Sequence, residues 1–383
     1  AIHAEPEIGL HNPLTTAKAK AALAGLPLEY SEGPSTTGFV ATLRGPSNGR
    51  TVLLRGDMDA LPMPEDTGLD YASNVDGCMH ACGHDTHTAM LSSAARVLSE
   101  RRDDFAGRVL FMFQPGEEGH HGARFMLEEG LLDVPDLSDG TPSAVNAAFA
   151  LHITSALPSG WVSSRPGAVM ASADTMSIRI TGRGGHASEP HRALDPIPVA
   201  CEIVQALQTM ITRSIDVFDP SVVTVGRISA GTTNNVIPET AQIDGTIRAT
   251  SESTRAKVHD GIRRVAEGVA MAHGCQCDVE VVFGYPVTTN DDRFADFALG
   301  MAREVAGADS VVELPHPVMG AEDFSYVLQN LPGAMMFLGG TPHGLNPAKA
   351  APNHSNRVMF EEDAMTTGIS LYAAAALRHL APA

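Results

Sequence analysis

The densest group of potential ligands in the sequence is Met79–His87, MHACGHDTH, which places Cys82, His84, Asp85 and His87 within six residues. Thiolate and imidazole are good ligands for zinc and its neighbours in the transition series. Cys82 and His84 alternate just ahead of a helical pattern, where a loop presents both. The same residues also fit a plain helix start, with Asp85 as its cap and incidental histidines. A second group, QPGEEG (Gln114–Gly119), sets Glu117 beside Glu118 at a turn marked by Pro115 and Gly116. One carboxylate there could hold a metal while the other takes a proton from water. Two solvated glutamates opening a helix, where the dipole favours them, is the plainer alternative. In a third group, LRGDMDALP (Leu54–Pro62), Asp57 and Asp59 close an apolar run. They serve as ligands, as partners that fix a histidine, or as ordinary turn residues.

Three histidines add to these groups. His152 ends the apolar run AAFALH, His354 lies in the polar stretch PNHSN, and His186 lies in the glycine-rich GRGGHASEPH. Taken singly, each reads as a structural or surface residue. Asp57, Glu117 and His152, however, all fall at the ends of strands expected in one sheet, and open α/β sheets bind ligands beyond the carboxyl ends of their strands.

The elements that must position these groups follow from periodicity. Helical spacing is expected from Ala4 to Leu26. Gly38–Leu43 and Thr51–Arg55 read as a strand pair joined by the turn-like Gly45–Arg50. Thr86–Glu100 and Ala123–Glu129 read as helices, Val109–Phe113 and Ala147–His152 as buried strands. Alternating strands and helices imply an α/β layer with a largely parallel sheet. The texture then becomes β-α-β-β-α-β over Ser177–Phe283, the order of a ferredoxin-like sandwich. After Pro286 the α/β texture returns, with a helix at Arg293–Val305, a strand near Ala334–Leu338 and a final helix at Glu361–Leu380. The expected organisation is a mixed, largely parallel α/β domain of residues 1–171 and 286–383 with an inserted ferredoxin-like α+β domain of residues 172–285.

Composition narrows the function. The 383 residues carry a formal net charge of −19, which argues against sequence-independent nucleic-acid binding. No apolar run is long enough for a membrane span, and AIHAEPEIGL lacks the basic and apolar regions of a signal peptide. Five cysteines form no disulfide framework, so a reducing, cytoplasmic setting is expected. GxxxxGK[ST], HExxH, GxSxG and CxxC are all missing, and GRGGHA lacks the spacing of a dinucleotide fingerprint.

The segments LRGDMDALP, MHACGHDTHTAML, QPGEEG, ALHI, GRGGHASEPH, NNVIPE, GTIR, MGAEDFSY and NHSN, in that order, resemble the M20 metallopeptidases, and within them the amidohydrolase branch. That branch includes N-acyl-amino-acid amidohydrolases, hippurate hydrolases and auxin-conjugate hydrolases, and the likeness covers nearly the whole chain. It implies a catalytic α/β domain holding two divalent metals (Zn, Mn, Co or Ni), an inserted lid, and a homodimer through that lid. It implies Cys82, His84, Glu118, His152 and His354 as metal ligands, with Cys82 bridging, and Glu117 as general base. Asp59 matches a supporting aspartate behind the ligands. Asp57 stands where other branches carry a ligand histidine, and His84 takes over that duty. His186 would polarise the substrate carbonyl, while Asn235 and Arg248 would touch the substrate. The implied activity is metal-dependent hydrolysis of the amide bond of N-acyl amino acids or related compounds. A dipeptidase or carboxypeptidase on the same scaffold is the alternative, and a non-catalytic metal-bearing protein a third. His120 and His121 depart from the small residues expected after the paired glutamates; they narrow the pocket or sit on the surface.

Overall fold

The structure is a computed structural model and describes residues 1–136, 140 and 143–381. The chain forms two compact units. The first comprises Ala1–Val169, Thr289–His316 and Asp323–Ala383; the second comprises Met170–Thr288 and Pro317–Glu322. Among the described residues no helix is long and apolar enough to cross a membrane.

An eight-stranded sheet organises the first unit, in the order Leu28–Glu32, Phe39–Arg44, Arg108–Gln114, Thr51–Asp57, Ala147–Pro158, Gly333–Thr341, Val162–Ser164 and Val311–Glu313. The four middle strands are mutually parallel. Thr51–Asp57 and Arg108–Gln114 are buried along their whole length, which is why they read as continuous apolar runs without alternation. Helices His84–Glu100, Asp292–Ala306 and Ala364–His379 bury their apolar stripes in the same core, through Met90, Leu91, Leu98, Phe294, Leu371 and Tyr372. Truncating one such leucine to alanine costs about 2–5 kcal/mol.

Two expectations about this unit change. Helix runs only from Pro13 to Ala22, not from Ala4 to Leu26. Upstream, turns flank a single bridge in which Ile8 pairs with Ala60 and the Ala60 N–H donates to the Glu7 carbonyl. The Glu7 carboxylate then accepts from Leu14 and Thr15 N–H, closing the helix start that Pro13 fixes. Phe39–Arg44 and Thr51–Asp57 are not a pair: Arg108–Gln114 lies between them, antiparallel to the first and parallel to the second. That strand is apolar on both faces and stable only between neighbours. The turn residues Gly45, Ser47 and Arg50 bond to Gly107 and Arg108 at its start.

The second unit carries a four-stranded antiparallel sheet in the order Ser221–Ala230, Thr240–Ala249, Ala173–Thr181, Gln276–Tyr285. With helices Pro196–Ser214 and Glu252–Ala272 this is the ferredoxin-like sandwich. Side chains cap both helices: Asp195 accepts from Ile197 N–H and Ser251 from Thr254 N–H. Ile178, Ile180, Ile203, Leu207, Ile243 and Ile262 fill its own core. Beside that core lies a buried ion pair. Arg255 donates to Asp174 at 2.6 and 2.8 Å, His259 Nε2 lies 2.8 Å from the same carboxylate, and Gly284 N–H adds a bond of 2.9 Å.

Burial alone would raise the Asp174 carboxyl, but the hydrogen bonds from Arg255, His259 and Gly284 outweigh it and bring it down to about 2. A carboxylate whose folded pKa lies below its unfolded value stabilises the fold above the unfolded pKa and loses that contribution as pH falls. Denaturant unfolding followed on the second unit should therefore weaken between pH 4 and pH 2. Asp174→Asn should destabilise this unit by about 3 kcal/mol at neutral pH, because Arg255 stays buried with its main partner removed, and should flatten that acid dependence.

Candidate metal centre

The sheet register sets the site. Asp57 pairs with Gln114, and Arg55 pairs with Ala150, so Asp57, Gln114 and His152 are level at one edge. His152 does not end its strand, as the sequence suggested; the strand continues to Pro158, held by pairing with Gly333–Thr341. Helix His84–Glu100 starts at the same edge. Gly83, just before it, has φ +86°. A Cβ there would lie 2.4 Å from Ile153 Cγ2, so only glycine fits between Cys82 and His84. No side chain caps this helix. Asp85, the cap of the plainer reading, instead bonds His3 at 2.8 Å.

Five side chains converge. Cys82 Sγ lies 3.3 Å from His152 Nε2 and 3.3 Å from His354 Nε2. His354 Nε2 is 3.1 Å from Glu118 Oε1. His84 Nε2 is 4.0 Å from a carboxylate oxygen of Glu117 and 4.0 Å from one of Glu118. Potential donor atoms cluster as Cys82, His84, His152 and again as Cys82, Glu118, His354, with Cys82 common to both.

The imidazoles are turned for ligation. His84 Nδ1 donates to the Asp59 carbonyl at 2.8 Å and His152 Nδ1 to the Ile153 carbonyl at 2.7 Å, which leaves each Nε2 facing the cluster. His84 Nε2 is buried and has no hydrogen-bond partner. Burying an imidazole nitrogen in this way is costly unless something else fills its valence, and a cation among thiolate, imidazole and carboxylate donors fits. His354 adopts φ +68°, a strained conformation for a non-glycine residue, and its N–H is tied to the Ala81 carbonyl at 2.9 Å.

Charge in the cluster is redistributed. Burial would raise the Cys82 thiol, but His152 and His84 hold it well below the usual thiol range. Burial would lower His84, and the anions Asp57 and Cys82 raise it instead. His354 is pushed up to about 10 by hydrogen bonds to Cys82 and Glu118, while burial, aided by Cys82, raises Glu118. The shifts of Cys82 and His84 thus favour charge separation within the cluster, and metal binding to such donors is linked to proton release.

The two aspartates differ. Asp59 accepts from Glu117 N–H and Glu118 N–H at 2.9 and 3.0 Å, so it holds the backbone of the paired glutamates. Asp57 Oδ2 lies 2.7 Å from Arg55 Nη1 and its Oδ1 lies 2.5 Å from His87 Nδ1. Its Oδ2 also lies 3.5 Å from His84 Nε2, so Asp57 borders the cluster while Arg55 and His87 hold it. Sequence reasoning missed the residues behind it. Arg55 also donates to Gln114 at 2.8 Å and reaches Asp323 at 3.2 Å, and Asp323 accepts from Ala123 N–H. A charged residue inside the run TVLLRGD was the signal for Arg55. Asn353, which donates to the carbonyls of Cys82 and Ile153, carried no such signal. His121 Nδ1 lies 2.9 Å from the Tyr326 hydroxyl, and His120 is exposed with its ring against Gly9.

In the second unit His186 and Asn235 come together. The short strand Gly185–His186 pairs with Val236–Ile237, and Ala187 N–H donates to the Asn235 carbonyl. His186 Nδ1 accepts from Ser188 N–H at 3.1 Å, which places the imidazole proton on Nε2. Arg248 lies outside this ladder, on the strand Thr240–Ala249 opposite Val222, half-buried, with burial lowering its pKa.

Residues 53–378 match the model of peptidase family M20/M25/M40. The chain is 37% identical to thermostable carboxypeptidase 1 of Saccharolobus solfataricus, over 98% of this chain and 93% of that one. It is 37% identical to N-acetylcysteine deacetylase of Bacillus subtilis, over 91% of this chain and 89% of that one. Among solved structures, a dinuclear metal binding M20 peptidase of Bacillus subtilis superposes with a TM-score of 0.83 at 33% identity, covering 99% of this chain and 95% of that one. With the family model matching residues 53–378 and relatives 37% identical over most of its length, the chain belongs to peptidase family M20/M25/M40.

Proposed function

We propose that this protein is a metal-dependent amidohydrolase that cleaves the amide bond of N-acyl amino acids and related small amides. The observation that carries the reading is the convergence of Cys82, His84, Glu118, His152 and His354 around a buried, unpartnered His84 Nε2, with Glu117 beside them. Those five would hold two divalent ions, with Cys82 shared between them. When bound, such ions lower the pKa of water and stabilise negative charge on a carbonyl oxygen. Glu117, anchored through its N–H to Asp59, takes the proton from the attacking water and returns it to the leaving amine. His186, with its proton on Nε2, donates to the carbonyl oxygen as it becomes an oxyanion. Asn235 and Arg248 bind the substrate, Arg248 through a charge-assisted bond to its free carboxylate. The second unit would serve as the inserted lid domain. The deacetylase relative favours an N-acyl substrate. The carboxypeptidase relative favours a second reading, a carboxypeptidase or dipeptidase using the same residues.

Two further features belong to this proposal. The protein assembles as a homodimer through its second unit, where the edge strand Ser221–Ala230 exposes Val222 and Ile228, with Phe218 nearby. It works in the cytoplasm, where a thiolate ligand and unbridged cysteines stay reduced.

Glu117→Gln should leave fold and metal content unchanged and lower kcat by about 10²–10⁴-fold; near-normal turnover removes Glu117 from the role. Chelator treatment should abolish cleavage of hippurate and N-acetyl amino acids, and elemental analysis should find two metals per chain, both lost in Cys82→Ala. Faster cleavage of dipeptides than of N-acyl amino acids would move the assignment to the second reading. Ile228→Lys should convert the dimer to monomer in sedimentation.

A further inference from the structure

We propose that His87 is not a ligand but a positioning residue, which fixes the metal-facing imidazoles of His84 and His152. The inference rests on the metal-dependent reading above and assigns a role to the last histidine of MHACGHDTH. By spacing alone His87 is as good a ligand as His84, and it even clusters with Asp57 and His84 as a potential donor. Its hydrogen bonds decide otherwise. Ile153 N–H donates to His87 Nε2 at 2.7 Å, so that nitrogen carries no proton and its lone pair is taken. Nδ1 therefore carries the proton and donates it to Asp57 Oδ1 at 2.5 Å. No donor atom is left for a metal.

The two bonds span the parts that carry the neighbouring ligands. His87 lies one turn after His84 on the same helix, and Ile153 directly follows His152 on the strand. The ring sits between them, with centroids 5.4 Å from His84 and 4.9 Å from His152. Thr88 Oγ1 adds a bond of 2.9 Å to the Asp57 carbonyl, joining helix to strand a second time. The approach is close: a Cβ on Gly56 would lie 3.0 Å from the His87 carbonyl oxygen. Asp57 is itself held by Arg55. A rotation of the His87 ring would release the Ile153 N–H and the strand segment that aims His152, and would free the first turn that aims His84.

The test is cobalt(II) titration of chelator-treated protein, reading stoichiometry, affinity and the thiolate-to-cobalt absorption band. His87→Gln keeps one amide donor and one acceptor and should retain two ions per chain with nearly wild-type affinity. His87→Leu keeps the volume but neither bond; with an unchanged far-ultraviolet dichroism spectrum it should bind cobalt about 10–100-fold more weakly, with a shifted band. If His87→Leu does not fold, His87→Asn, too short to span both partners, takes its place with the same expected loss. Wild-type affinity and spectrum in the variant lacking both bonds would overturn the inference. So would His87→Gln losing an ion as completely as His84→Ala, since His87 would then be a ligand; both results leave the metal reading standing. Wild-type protein that binds no cobalt would remove that reading and this inference with it.

Discussion

A guanidinium buried in the middle of a parallel sheet has to be satisfied, and the rest of the site is arranged around doing so. Arg55 has no solvent exposure. A cation there, unpaired, would cost several kcal/mol. Asp57, Gln114 and Asp323 supply its acceptors, and its own carbonyl accepts from the Tyr372 hydroxyl at 2.6 Å. Each partner carries the constraint outward. Asp57 holds His87 and through it the His84 helix and the His152 strand. Gln114 and Asp323 hold the two ends of the loop that presents Glu117 and Glu118, since Asp323 also accepts from Ala123 N–H beyond that loop. One buried charge thus couples the three chain segments whose relative placement the cluster needs.

The cluster itself is an electrostatic compromise. In a chain with a formal net charge of −19 it gathers a cysteine, two glutamates and three imidazoles, with Cys82, His84 and Glu117 buried and His354 exposed. Its shifts are opposed: Cys82 is lowered while His84, His354 and Glu118 are raised. Metal binding to such thiol and imidazole donors releases protons, which makes metal affinity depend on pH. His354, with its backbone at φ +68°, brings its Nε2 to Cys82 and Glu118. The second unit has a separate core and its own buried ion pair, Arg255–Asp174, so its stability answers to acid through a different carboxylate.

The sequence alone determined the parts. Periodicity located the core strands and the long helices, and the β-α-β-β-α-β order identified the sandwich. The ordered motifs named the family and the candidate donors, because each ligand type must be supplied by a particular side chain. Tertiary structure decided what those parts do, for a reason local patterns do not contain. The strand Arg108–Gln114 enters between two segments that read as a hairpin, because an apolar strand needs neighbours on both edges. His84 and His87 are equivalent by spacing, yet a backbone N–H 66 residues away takes the Nε2 of one and leaves that of the other open. Asp57 reads equally as a ligand, a supporting partner or a turn residue until a buried arginine and that histidine are found beside its oxygens. Which lone pair remains for a metal depends on long-range hydrogen bonds, and those exist only once the sheet has brought distant segments to one edge.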